Sequence, residues 1–126
     1  MNGIVLIFTG GGLGALVRYF LSSFLQRGIF PVGTVAVNLI GCLCIGALWA
    51  LHERCSFAPE ARLFLFVGIL GGFTTFSSFS LETFNLVRAG DWRLAILNVV
   101  ISNVAGIALT ALGFWGVKKC LHLFVS

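Results

Sequence analysis

The stretch GILGGFTTFSSFSLETF, from Gly68 to Phe84, decides the fold of this chain. It belongs to an apolar run of membrane-spanning length, yet its centre carries two adjacent glycines and five hydroxyl residues. Glycine costs about 1 kcal/mol relative to alanine inside a helix, and serine and threonine hydroxyls compete for backbone hydrogen bonds. The stretch therefore predicts a membrane helix that is broken in mid-bilayer, near Gly71 and Gly72.

A break at this depth has a functional implication, because lipid offers no hydrogen bonds to the backbone groups that it frees. Such groups occur where they are buried in protein, line a watery cavity or hold an ion. The sequence therefore predicts a permeation path or an ion site at the break.

The composition is that of an all-α integral membrane protein. Of the 126 residues 59% are hydrophobic and 10% are charged, and the mean hydropathy is +1.07. Four apolar stretches each approach the roughly 20 residues that a spanning helix needs. We expect the first to be a span rather than a cleaved signal peptide, because no basic residue precedes it. The prediction is one four-helix membrane domain over residues 1–126, with spans at about 3–25, 33–51, 63–87 and 94–117.

The basic residues are divided equally between the two faces of this four-span arrangement. A Lys and Arg excess normally fixes the cytoplasmic face, so an even division predicts insertion in both orientations. Two oppositely inserted copies would then form an antiparallel, dual-topology homodimer. The alternative, that one charge at the end of a span fixes a single orientation, stays open. The residues on the side of the termini are Arg54, Arg62, Lys118 and Lys119, and those on the opposite side are Arg18, Arg27, Arg88 and Arg93.

Polar residues within the predicted spans are candidates for the path. Ionised groups there cost roughly 2.5 to 3.5 kcal/mol, so they are expected to face protein or water. Arg18 and Glu82 either reach a membrane surface or line a vestibule. The amide of Asn38 can donate hydrogen bonds without adding a fixed charge, so in a pore it would suit a small desolvated anion.

Two phenylalanines follow the break with helical spacing. Phe76 and Phe79 lie three residues apart, and Glu82 and Thr83 continue the same face of a helix. An aromatic ring has a positive edge, so two ring edges can attract an anion. Packing is the alternative, because the chain has thirteen phenylalanines.

Other features favour ordinary structural roles. Small residues recur at three- and four-residue steps in the first and fourth spans, which is typical of close helix contacts. The four cysteines have no metal-ligand spacing. The net charge of +4 reflects span-end residues rather than nucleic-acid binding, and no catalytic constellation is present, so we expect no enzyme.

Three sequence blocks, in order along the chain, carry a family resemblance. They are GGGLGALVRY at 10–19, GTVAVNLIG at 33–41 and GGFTTFSSFSLE at 71–82. On these blocks the chain resembles the CrcB/Fluc family of bacterial fluoride channels. The resemblance implies a multi-pass protein of the bacterial inner membrane. It also implies a dual-topology homodimer with two antiparallel fluoride pores and a structural sodium ion at the dimer centre.

The resemblance also implies roles for individual residues. It gives Phe76 and Phe79 as ring-edge fluoride ligands and Asn38 as a pore amide. Backbone carbonyls of Gly71 and Thr74 would bind sodium. The remaining implied positions are Ser78, Thr110 and Glu82 in the pore and Arg18 in a structural or vestibule role. The chain departs from the family at Ser78, which is usually threonine, and at Gly106, which is often serine.

The main alternative function is that of a small multidrug-type proton antiporter, which is also a four-span, dual-topology dimer. Such a transporter needs a titratable carboxylate in its first span, and this chain has none there. A non-transporting subunit of a membrane complex is a third possibility, but it would leave the broken span unexplained.

Overall fold

The computed structural model describes residues 2–125, with side chains through residue 123. This part of the chain is helical apart from short connections. The five helices are α1, Gly3–Leu25; α2, Val32–Cys55; α3, residues 59–73; α4, Phe76–Arg88; and α5, residues 92–125.

Four helical segments are long and apolar enough to cross a membrane. They are Gly3–Leu25, Val32–Cys55, Pro59–Arg88, which joins α3 to α4, and Trp92–Leu123. The prediction of four spans is thus confirmed, and the chain is a multi-pass membrane protein. α2 begins one residue before the predicted span and ends four residues after it. At its C-terminal end, polar residues after Leu51 continue the helix until Ser56 adopts the left-handed conformation at φ 49°.

Close backbone contacts hold the helices together. α1 packs along α3, α2 packs along the C-terminal half of α5, and α4 packs against its N-terminal half. A side chain at Gly14 would overlap the backbone of Ile69, and one at Gly113 would overlap that of Leu43. These glycines permit the short interhelical distances that stabilise membrane bundles without a hydrophobic drive.

The third span is broken as predicted, but the break lies at Thr74 and Thr75 rather than at Gly71 and Gly72. Gly71–Phe73 is helical, whereas Thr74 and Thr75 are extended, with φ/ψ of −83°/155° and −150°/114°. Gly72 is instead a packing residue, because a side chain there would overlap the backbone of Gly11. The hydroxyl residues, not the glycine pair, mark the break.

Two helices contain π-helical turns. They span Leu63–Leu70 in α3 and Ile101–Ala105 in α5. Wider turns of this kind rotate the following side chains relative to a regular helix, and they are frequent at functional sites.

Candidate functional site

The break is bridged by the side chain of Asn38 from α2. Its Oδ1 accepts from the Thr75 N–H at 2.8 Å, and its Nδ2 donates to the Thr75 carbonyl at 3.0 Å. One amide therefore satisfies both backbone groups of a residue that has left the helix. The second N–H of the Asn38 amide is not needed for this pairing.

Thr75 also begins α4. Its Oγ1 accepts from the Ser78 N–H at 3.3 Å and donates to the Ser78 Oγ at 3.1 Å. This is the N-cap arrangement expected of threonine, and it pairs one N–H group in the first turn of a helix that starts in the membrane interior. The sequence TTFSS thus encodes both the interruption and the restart.

The break leaves the four carbonyls of residues 71–74 without the N–H partners that a continuous helix would supply. In a continuous helix the Thr75 and Ser78 N–H groups would donate to the carbonyls of Gly71 and Thr74. Here they donate to Asn38 and to the Thr75 hydroxyl instead. The two carbonyls that the family resemblance gives as sodium ligands are among these four, and Gly71 is exposed on the single chain.

A cavity of about 440 Å³ lies beside the break. Asn38, Thr75, Phe76 and Phe79 contribute to its wall, and so do Ser102 and Asn103 of α5. The ring centroids of Phe76 and Phe79 are 5.5 Å apart and their planes are inclined by 46°. The structure thus brings an amide, two aromatic rings and hydroxyl groups to one cavity, which is a chemical set suited to a small anion.

A second cavity of about 220 Å³ is lined by Arg18, which the sequence predicted as a structural or vestibule residue. Ser22, Thr34 and Ser78 also line it, and Thr75 belongs to the walls of both cavities. The break therefore separates a cationic, hydroxyl-lined chamber from the aromatic one. The guanidinium would favour anions on this side of the break.

Glu82 and Thr110 lie apart from the aromatic cavity. Glu82 Oε1 accepts from the Thr34 hydroxyl at 2.6 Å, which joins α4 to α2. Its Oε2 is buried, with no hydrogen-bond partner within residues 2–125. The Thr110 hydroxyl donates to the Gly106 carbonyl at 3.1 Å, and Thr110 lines neither cavity.

The fold brings three further residues to the site that were not among the predicted site residues. Cys42 and Ser102 line the aromatic cavity, and the Cys42 sulfur lies 3.3 Å from where a side chain at Gly106 would begin. Cys42 thus lies next to position 106, where this chain has glycine and the family often has serine. Asn98 is completely buried behind the cavity. Its spacing of four residues from Ser102 was the available signal.

Comparison with known proteins shows the family of this chain. A family model described as "CrcB-like protein, Camphor Resistance (CrcB)" matches residues 5–114. This chain belongs to the CrcB family. Among its relatives is a protein of Parabacteroides distasonis that is 42% identical over 113 residues, covering 87% of this chain and 88% of the relative.

Other relatives are as similar. One from Salinibacter ruber is 47% identical over 110 residues, covering 85% of this chain and 83% of the relative. One from Desulfotalea psychrophila is 41% identical over 121 residues, covering 94% of each chain. All three relatives are named "Fluoride-specific ion channel FluC".

Proposed function

We propose that this chain is a fluoride-selective ion channel that lets cytoplasmic fluoride leave the cell passively and so lowers its toxicity. One observation carries the proposal: Asn38, Phe76 and Phe79 meet in a single cavity beside a helix break. The names of the CrcB relatives support fluoride as the ion. The activity is conduction rather than catalysis, and the proposed location is the inner membrane of a bacterium.

The cavity has groups that can replace the strong hydration of fluoride. Phe76 and Phe79 can offer positive ring edges, and the second N–H of Asn38 can donate a hydrogen bond. A pore conducts when such groups compensate for lost water without holding the ion too tightly. Chloride is larger than fluoride, and a ring edge and an amide placed to contact fluoride would leave less room for it.

The membrane potential is sufficient to drive export. A charge crossing 100 mV gains about 2.3 kcal/mol, so a negative cell interior expels an anion without ATP or coupled protons. Arg18 in the adjoining cavity would raise the local concentration of anions before they reach the aromatic rings.

We further propose that the working unit is an antiparallel homodimer. Phe76 is 78% exposed although it lines the aromatic cavity, so the wall of this cavity is open at Phe76 in a single chain. A second copy can complete this wall, and the equal division of basic residues permits the opposite orientation that an antiparallel pair needs. Each dimer would then have two such cavities.

A structural sodium ion at the dimer centre is part of the same proposal. The released carbonyls of Gly71 and Thr74 are hard oxygen donors, and unwound carbonyls bind sodium in other membrane proteins. Two carbonyls from each subunit would supply four donors, and the ion would offset the cost of leaving them unpaired.

The antiporter alternative has little support. An antiporter of this kind would be expected to have proton-coupled transporters among its relatives, whereas the matched proteins are named fluoride channels. Glu82, the carboxylate nearest the break in sequence, is bonded to Thr34 outside the aromatic cavity.

Liposome efflux tests the proposal. Liposomes that contain only this purified chain and are loaded with potassium fluoride should release fluoride when valinomycin allows potassium to follow. Matched liposomes loaded with chloride should retain their anion. The rate of fluoride release by a folded Phe79→Ile dimer should be at least tenfold lower than that of the wild type, because isoleucine keeps the apolar bulk but has no ring quadrupole. No fluoride release, or equal release of chloride, would overturn the proposal.

A further inference from the structure

Asn98 is an unusual residue for the interior of a membrane helix. It lies in α5 with none of its surface exposed, and a completely buried polar side chain needs hydrogen-bond partners. It has them on two sides. Its Nδ2 donates to the Thr83 hydroxyl of α4 at 2.8 Å, and its Oδ1 accepts from the Ser102 hydroxyl at 3.4 Å.

The hydrogen bonds continue to the aromatic cavity. The Thr83 hydroxyl, which accepts from Asn98, donates to the carbonyl of Phe79 at 2.8 Å. Phe79 and Ser102 both line the cavity, one from α4 and the other from α5. The chain Phe79, Thr83, Asn98, Ser102 therefore links two walls of the cavity through one buried amide.

The chemistry of each link fixes its direction. Thr83 has one hydroxyl proton, which goes to Phe79, so only its oxygen is left to accept from Asn98. The amide of Asn98 provides that donor and, at its other end, an acceptor for Ser102. A leucine of similar size would fill the space but would supply neither group.

We propose that Asn98 is a positioning residue for the channel: it holds the α4 wall, with Phe79, at a fixed distance from the α5 wall, with Ser102. This inference rests on the proposed fluoride conduction and deepens it. A cavity that selects a small anion needs walls that do not move apart to admit chloride, and a buried network whose members are all bonded supplies such rigidity.

The test uses paired variants of the full chain. Asn98→Leu removes both hydrogen bonds, Thr83→Val removes the acceptor and Thr83→Ser keeps it. Thr9→Val is the matched control, because the Thr9 hydroxyl also bonds the carbonyl four residues earlier, but on the exposed side of α1. We expect Asn98→Leu and Thr83→Val to reduce fluoride flux per folded dimer at least fivefold and to lower the fluoride-to-chloride ratio. Thr83→Ser and Thr9→Val should stay within twofold of wild type.

A second readout does not depend on conduction. With 4-fluorophenylalanine at position 79, the ¹⁹F resonance should shift or broaden in Thr83→Val and remain as in wild type in Thr83→Ser and Thr9→Val. Wild-type selectivity and an unchanged resonance in Thr83→Val would overturn the inference, even if Asn98→Leu does not fold. A wild-type chain without fluoride flux would overturn the proposed function instead, and the ¹⁹F comparison would still decide the role of Asn98.

Discussion

At the scale of single residues, the decisive feature is the division of labour around Thr75. Its backbone leaves the helix, Asn38 takes both of its backbone hydrogen bonds, and its hydroxyl begins α4. Asn38 was predicted only as a pore amide. The structure gives it a second task, because its amide also pairs the backbone of Thr75 at the break beside the cavity.

This dual role predicts that Asn38 affects stability as well as flux. Asn38→Leu should leave the Thr75 N–H and carbonyl unpaired, at about 1 to 3 kcal/mol for each buried group. Thermal unfolding in detergent measures the effect. Asn85→Leu, which removes an exposed amide of α4, is the control, and an Asn38→Leu protein as stable as this control would contradict the assignment.

At the scale of elements, the helices are held by backbone contacts that the sequence suggested and by turns that it did not. The glycine spacing in α1 predicted a close neighbour, and Gly14 indeed faces the backbone of α3. The π-helical turns of α3 and α5 have no equivalent signal. They depend on how whole helices fit together, which propensity and periodicity within one segment do not contain.

The contact between Gly14 and the backbone of Ile69 predicts that alanine substitutions at two nearby positions of α1 will change stability by different amounts. Gly14→Ala would place a methyl group on the backbone of Ile69, and overpacking of this kind typically costs 1 to 3 kcal/mol. Gly12→Ala meets no atom within 4 Å, and it should be neutral or stabilising by up to about 1 kcal/mol. Melting temperatures of the two variants provide the comparison. Equal values would mean that α1 and α3 are not packed through Gly14.

The location of the break shows where sequence reasoning stops. Local propensity pointed to Gly71 and Gly72, yet both remain helical, because α1 packs against Gly72 and the hydroxyl residues that follow can cap a new helix. The motif nevertheless identified the cavity residues Phe76, Phe79 and Asn38. Ser102 was missed because it meets the break only through the packing of α4 against α5.

At the scale of the whole molecule, a single chain leaves much of its apolar surface uncovered. Only 17% to 33% of the residues in the most apolar part of each span are buried, so lipid or a second copy must cover the rest. The proposed dimer uses part of this surface to complete the aromatic cavity beside Phe76.

Dual insertion predicts that charge controls assembly. Two or three lysines added next to Arg27 should bias most copies towards one orientation and reduce flux, because antiparallel partners become scarce. With the four native cysteines replaced, labelling of a single introduced cysteine from each side of the membrane reports the orientations. The same lysines added next to Lys119 should bias them the other way. Labelling of the wild-type chain from one side alone would contradict dual insertion.

The reversal potential of the current in a planar bilayer tests fluoride conduction most directly. With only this chain in the membrane and a tenfold fluoride gradient at equal pH, the current should reverse at about 59 mV, the value for a monovalent ion, with the sign expected for an anion. Replacing fluoride by chloride should abolish the current. A reversal near zero, one that follows an imposed proton gradient, or an equal current in chloride would contradict a fluoride-selective channel.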